Sequence, residues 1–520
     1  LHNLCAARDN VPSLVEGGAI EVMVDALSNR GDLAREAAAR TLSNCAWYSA
    51  EYARKVVAAG ALPPLLHVLS CGTKYSKTGA AMAVCQVALW EENIGALLEH
   101  RHEITHQLSR LLAPSTQPTV SGIHSTSLQE VAASALQNMA ASPSLRRVIL
   151  DEPSLVGRLV ALLSTGTAIA AVEAAGALAN LCALSCASSD TDGRHDATER
   201  GADVKNNDGS DTDASKVIVA DAVAAIVSAS GEHYLVRMMD EPAYTASAAA
   251  AAIRGLLVSS NEGCQAVVRA GCVQAMVTAL HRMHQLVAVA KSSAVEPDVW
   301  STVEYSAGAL ADLLLQTDHG SSLSSAAAPL VKLLVPEAPA AATREVCRAV
   351  AAIAQRSDAQ RSKLARRGSK AIARLAGVLP RRLVGAEARA AAADALAAIA
   401  SDGNPARATI AGSIEVLSSL VSMVGPDAAV IERTAGANAL GELARSPRLN
   451  ASLLAAGAEP ALEEMCEFGS DKEREIAGVA LDLLHRNAAA DDIALPSFGE
   501  SESITFWKAD VDLNASCDDG

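Results

Sequence analysis

The chain has 520 residues, enough for several domains or for one elongated repeat array. Half of it is hydrophobic but only 2% is aromatic, so its core must be built from Ala, Leu and Val, a composition that favours helices. Net charge is −16, yet residues 1–186 carry 13 basic against 15 acidic groups and residues 217–487 carry 25 against 28, so the excess sits in segments 187–216 (4 against 8) and 488–520 (1 against 8). A nearly neutral body argues against a general nucleic-acid binder.

The eleven cysteines are scattered singly without a CxxC pair, as expected of reduced thiols in a cytoplasmic or nuclear protein. Cys182 and Cys186 lie one helical turn apart with no further ligands nearby, a chance pair rather than a metal or redox site. No stretch of 18 or more strongly apolar residues suggests a membrane span. The chain opens in mid-motif at Leu1, as a piece of a longer protein would.

In chain order, LHNLC (1–5) reads as the end of a long helix. VEGGAIEVMVDAL (15–27) then recurs as VAAGALPPLLHVL (57–69), VRAGCVQAMVTAL (268–280), IAGSIEVLSSLV (410–421) and LAAGAEPALEEM (454–465). Gly18 and Gly60 are 42 residues apart, and Gly368, Gly412 and Gly457 follow at 44 and 45. Each block closes with a longer apolar segment: AREAAARTLSNCA, LQEVAASALQNMA, AVEAAGALANLCA, ADALAAIA and AGANALGELA. The unit is a short helix stopped at Gly, a second apolar helix, a polar turn and a longer third helix. No such unit buries its apolar faces alone, so the units must stack. Near Glu99–His106 and Asp151–Pro153 the glycine is replaced.

This pattern resembles the armadillo repeat family, whose unit is three helices of about 42 residues. The resemblance covers residues 1–487 in about ten or eleven units, the first truncated. It implies an all-α, right-handed superhelical α-solenoid. HEAT repeats are the near neighbour, disfavoured by the short first helix before the Gly. Two segments stand outside the array. The acidic insertion 187–216 is too polar to order, and the Ser189 and Ser210 sites in it suit an acidophilic kinase or nothing at all. The tail 488–520 holds Phe498, Phe506 and Trp507 among acids and is either a docking motif or an unpacked terminus.

Aligned on their ALxN ends, the third helices place Asn3, Asn44, Gln86, Asn138 and Asn180 at one position. Beyond the insertion the position holds Gly255, Asp312, Ala352, Ala398, Glu442 and Leu483. A carboxamide can pair with both the N–H and the C=O of an extended peptide. The resemblance implies that these residues line a concave groove and clamp partner segments there; satisfying backbone groups between repeats is the alternative role. The nuclear-import adaptors of the family add Trp one turn earlier, where this chain has Arg40, Met82, Ser134 and Gly176, so basic import signals are not the expected ligand. Trp47 and Trp90 lie three and four residues after Asn44 and Gln86, as walls of an apolar pocket or as core.

Residues 344–389 contain 12 Arg or Lys against Glu345, Asp358 and Glu387. Arg344, Arg348, Arg366, Arg367 and Lys370 read either as a solvated face, as a patch for an acidic peptide (the chain's own tail included), or as a site for nucleic acid or anionic lipid. HEITH (102–106) matches a zinc-protease pattern, but the repeat alignment puts His102 in a turn and His106 at a helix start, and no third ligand is recognisable. No P-loop, GxSxG or Rossmann fingerprint occurs, and nothing implies a cofactor or metal. The Asn-x-Ser sites at Asn450 and Asn514 carry no weight without secretion. The expected function is a non-catalytic scaffold or adaptor binding extended segments of other proteins. The rivals are the substrate-binding region of a larger armadillo-containing ubiquitin ligase and a structural part of a cytoskeletal or ciliary assembly.

Overall fold

The computed structural model describes residues 2–29, 31–113, 128–183, 210–290, 295–316, 325–366, 370–401 and 404–491, and every regular element in them is helical. One well-formed unit shows why. Ser49 caps Ala50–Ala58 by accepting the Tyr52 N–H at 3.2 Å. The chain then turns at Gly60, whose φ of +77° costs glycine little, into Leu62–Cys71, which carries its prolines in the first turn. Thr73 accepts the Ser76 N–H and starts the third helix, Lys74–Ala88.

Ten such third helices occur among the described residues. They are α1 (Asp32–Tyr48), α2 (Lys74–Ala88), α3 (Leu128–Ala141), α4 (Ala168–Cys182), α5 (Ala243–Ser259), α6 (Pro297–Gln316), α7 (Ala340–Arg356), α8 (Gly385–Ala400), α9 (Val430–Ala444) and α10 (Asp471–Asp491). Each packs along its full length on the next, from α1 on α2 to α9 on α10. Small residues permit that approach: a Cβ on Gly79 would stand 3.2 Å from the Ala39 Cβ of the preceding third helix. The fold is an all-α solenoid with one continuous core, from Cys5 and Val11 to Leu484.

Helix ends leave carbonyls without partners, and here arginines satisfy many of them. Arg282 reaches back one repeat to the carbonyls of Met239, Asp240 and Glu241 at 2.8, 2.5 and 2.6 Å. Arg158 does the same to Ser109 at 2.6 Å and Arg374 to Val331 at 2.9 Å. A second set lies on first helices and caps the third helix just before it: Arg146 to Ala140 at 2.9 Å, Arg361 to Ala354 at 3.1 Å and Arg407 to Ala400 at 2.8 Å.

The turn between first and second helices needs a left-handed residue more consistently than it needs glycine. Gly18, Gly271 and Gly457 have φ of 79°, 91° and 84°, while Ser154, Ser230 and Lys370 adopt 66°, 59° and 56° in the equivalent turns of other units. Gly412 has no such φ, its turn closing instead through its N–H to Ala408 at 3.0 Å. Gly368 falls outside the described residues. The insertion ends earlier than its polarity suggests: a helix runs from Ser210 to Ser228, because buried Ala222, Val223 and Ile226 anchor it and helix propagates from a packed end. Likewise α10 continues to Asp491, past residue 487. The rest of both polar segments, Ser189, Cys186 and the tail aromatics included, lies outside the described residues.

HEITH requires a correction. His102, Glu103 and His106 all lie on the single helix Arg101–Leu111, because His100 (φ −106°, ψ 14°) and not His102 occupies the turn. Both histidines are exposed, with His106 Nδ1 3.5 Å from Glu152, and no group of three or more metal-binding side chains forms among the described residues. No single described helix is long and apolar enough to cross a membrane; Asn261–Arg269 and Cys272–Val289 meet that requirement only together, across a 67° bend.

Two predictions follow from these turns and ladders. Replacing Ser154, Ser230 or Lys370 by Gly should each raise unfolding free energy by about 0.5–1 kcal/mol, measured by urea titration, because relief of the left-handed strain exceeds glycine's added chain entropy. The Arg433 guanidinium, 2.7 Å from Glu473, lowers that carboxyl's pKa to about 2, with help from the Ser470 N–H and hydroxyl. A lowered folded-state pKa contributes stability that is fully present above the unfolded value of about 4.3 and is lost as pH falls towards 2. Glu473→Gln should therefore destabilise at pH 7 and flatten the acid limb of the stability profile; an unchanged limb would show that the pair contributes nothing.

Candidate groove along the third helices

The third helices present two chemically distinct ladders. In the first half the carboxamides occupy a repeating register. Asn138 Nδ2 donates to the Cys85 carbonyl at 3.0 Å, and Asn180 Nδ2 donates to the Gln137 carbonyl at 3.0 Å. Each acceptor is the residue just before the equivalent position of the preceding repeat, so the bond recurs by construction. Both asparagines are half-buried, and neither Oδ1 accepts a hydrogen bond from the described residues. Asn44 and Gln86 are also half-buried and their side chains make no hydrogen bond among the described residues, and Asn3 is exposed on the short helix His2–Cys5. The structure thus gives the amide nitrogens of Asn138, which also lies 3.3 Å from the Cys85 Sγ, and of Asn180 an inter-repeat role, and leaves each carbonyl oxygen without a donor among the described residues.

The two tryptophans part company. Trp90 packs against the core and donates its Nε1–H to the Ala46 carbonyl at 2.8 Å, one more helix-end cap. Trp47 is 45% exposed, with the Arg8 guanidinium 5.0 Å from its ring centre and 5.5 Å from that of Tyr48. It keeps an open aromatic surface one turn beyond Asn44.

In the second half ion pairs replace amides. Arg254 of α5 reaches Asp312 of α6 at 2.9 Å and Glu345 of α7 at 3.5 Å. It crosses over Gly308, where a Cβ would stand 2.5 Å from its guanidinium carbon. Arg348 binds Asp312 at 2.8 Å and Glu345 at 2.5 Å, and Arg344 bridges Glu345 at 3.1 Å and Glu387 of α8. Burial opposes the charge on Arg344 and Arg348, but these carboxylates outweigh it and hold both pKa values above the ordinary one. Further along, Arg389 pairs with Glu432 and Arg433 with Glu473, whose second oxygens accept the Ala429 and Ser470 N–H groups at the next helix starts.

The basic stretch 344–389 is consequently spent within the fold. Arg344, Arg348 and Arg389 are paired, Arg356 caps Leu315, Arg374 caps Val331, and Arg381 caps Val335 and Pro336. Arg366 and Lys370 are exposed at the turn beside Ala371–Ala376, away from the paired arginines on α7, and Arg367 lies outside the described residues. Of the five residues expected to form one acidic-ligand patch, Arg344 and Arg348 are held in ion pairs on α7, while Arg366 and Lys370 stand at a turn between other helices. Signals for the pairing were in the sequence as Glu345 and Asp312, but only the register of α5, α6 and α7 brings them to one place.

Open clefts follow this face. One of about 470 Å³ is lined wholly by third helices of four successive repeats, α6 to α9, including Leu315, Arg348, Gln355, Ala391, Asp394 and Ile431. Another of about 310 Å³ lies between α9 and α10, beside Asn438, Glu442 and Val479. The third-helix layer is therefore a furrow, with groups of both charge and amide character along it.

No protein-family model matches the chain, and no curated protein matches it. Solved structures do. An engineered protein from a structural genomics consortium is 23% identical, aligned over 90% of this chain and 98% of its own, with a TM-score of 0.66. A chain from work on a phosphorylation switch controlling the interaction between cadherin and β-catenin is 13% identical over 94% of this chain and 87% of its own, with a TM-score of 0.60. A designed armadillo repeat protein is 21% identical over 56% of this chain and 99% of its own, with a TM-score of 0.40. At such identities the likeness to the first two, the ones with TM-scores above 0.5, concerns fold alone. The chain has the armadillo-repeat fold.

Proposed function

We propose that this protein is a non-catalytic scaffold whose third-helix furrow holds extended segments of partner proteins. The observation that carries the reading is the fixed register of Asn138 and Asn180. A bond from Nδ2 to the preceding repeat orients each amide, and its carbonyl oxygen is left without a donor among the described residues, one repeat apart. An extended strand offers alternating N–H and C=O groups and can be held by such a row whatever its side chains are. Pre-orientation also lowers the entropic cost of binding, since the amide rotamers are already fixed. Asn44, whose side chain makes no hydrogen bond among the described residues, extends the row, and exposed Trp47 offers a stacking surface beside it.

The test is selection of phage-displayed random peptides on the intact chain, followed by affinity measurement with variants. Asn44→Ala should weaken selected peptides about tenfold, the worth of one or two hydrogen bonds, without moving the urea unfolding curve. Asn138→Ala and Asn180→Ala should weaken binding similarly but also cost about 1 kcal/mol of stability each, because each strips a partner from a carbonyl of the neighbouring repeat. Leu383→Ala, at a fully exposed site outside the third helices, is the control. Peptides held equally well by wild type and Asn44→Ala would remove the groove from the proposal.

A further inference from the structure

The last turns of the third helices form one rim of the furrow, and its chemistry changes along the chain. Three residues after the aligned position stand Val258 of α5 and Leu315 of α6, 41% and 55% exposed. The same place then holds Gln355, Ser401, Arg445 and Arg486, all exposed. Arginines stitch these positions into one edge. Arg356 caps the Leu315 carbonyl at 3.0 Å, and Arg361 reaches both the Ala354 carbonyl at 3.1 Å and the Ser401 hydroxyl at 3.3 Å. Arg407 runs from the Ser401 carbonyl at 3.2 Å to Glu442 at 3.9 Å, and Arg445 meets Glu442 at 3.2 Å. Arg448 is exposed and has no ion pair among the described residues. From α7 to α10 the described edge thus sets Arg356, Arg361, Arg407, Arg445, Arg448 and Arg486 against Asp358, Glu442 and Asp482. It is net positive in a protein of net charge −16.

The chain's own continuation starts beside this edge. α10 runs past Arg486 to Asp491 at the same end of the stack, and residues 492–520 follow. They hold seven acids against Lys508 alone, with Phe498, Phe506 and Trp507 among them. Charge of that sign is drawn to the arginine edge. Reach agrees as well. Packed neighbouring helices lie about 8–10 Å apart, which puts Leu315, four third helices back, about 32–40 Å from α10. The stretch from Asp491 to Phe506 spans up to about 50 Å when extended. We propose that the segment after Asp491 lies back along this rim, its acids against Arg445, Arg448 and Arg486 and its Phe506–Trp507 pair on the exposed Leu315 and Val258. Tethering makes the encounter intramolecular, so modest contacts suffice to hold it. The proposal is independent of the groove reading, because none of these residues belongs to the amide row of Asn44, Asn138 and Asn180.

The test is limited chymotrypsin digestion of the intact chain. Cleavage after Phe506 and Trp507 is followed by mass spectrometry, with a synthetic 492–520 peptide as the unprotected reference. Cleavage should be about tenfold slower in the intact chain than in the peptide at low salt, and the protection should fall as salt rises. Leu315→Ser, and separately the pair Arg445→Glu and Arg448→Glu, should each restore most of the peptide's rate. Glu500→Lys with Glu502→Lys should do the same, and joining both charge reversals in one chain should bring protection back. Urea unfolding curves separate lost docking from lost folding in the rim variants, and the tail variant leaves the helices untouched. Cleavage as fast in the intact chain as in the peptide, or protection that none of these variants moves, overturns the proposal. Protection that rises with protein concentration also overturns it, since the segment of one copy would then lie on another.

Discussion

The structure depends on how each repeat satisfies the polar ends of the one before it. A helix leaves its last carbonyls unpaired, and a solenoid of short helices multiplies those ends. Here the next repeat supplies the donors: Arg282 to Met239, Asp240 and Glu241, Trp90 to Ala46, Asn138 to Cys85 and Asn180 to Gln137. Apolar stacking provides the bulk of the driving force, but it is non-directional and would tolerate slippage by a turn. The donor–acceptor pairs do not tolerate it, because a shift of one residue leaves both a carbonyl and a donor unmet. Register between repeats, and with it the regular step of the furrow, is set by these bonds.

That same requirement explains why structural and binding roles share residues. The amide of Asn138 has two N–H groups and one oxygen, and the fold uses its nitrogen on the Cys85 carbonyl and Sγ. What remains is a fixed acceptor oxygen, so a residue recruited to hold the stack also leaves a polar group on the third-helix face. In the second half the cross-links are charged, and the consequence differs. An ion-pair lattice such as Arg348 with Asp312 and Glu345 satisfies itself and leaves little to offer a ligand.

How much of this could be read from the sequence divides along a physical line. The repeat, its boundaries and the carboxamide register were legible because they depend on spacing within one unit, about 42 residues, and on the chemistry of single residue types. The left-handed turn was legible as glycine, but Ser154, Ser230 and Lys370 show that packed helices on both sides can hold other residues there. What failed was charge. Arg344 and Arg348 counted as a basic patch because the window 344–389 holds few acids, yet two of those acids, Glu345 and Glu387, pair with them, and a further partner, Asp312, lies 36 residues before Arg348 and outside the window. In a solenoid the neighbours of a third-helix residue lie about one repeat away on either side, so a net charge summed along the chain samples the wrong residues.

On the proposed reading, backbone-directed amides would hold any extended segment with similar strength, which gives affinity without selectivity. Because such contacts add along a rigid stack, a longer segment would gain from each further repeat that holds it.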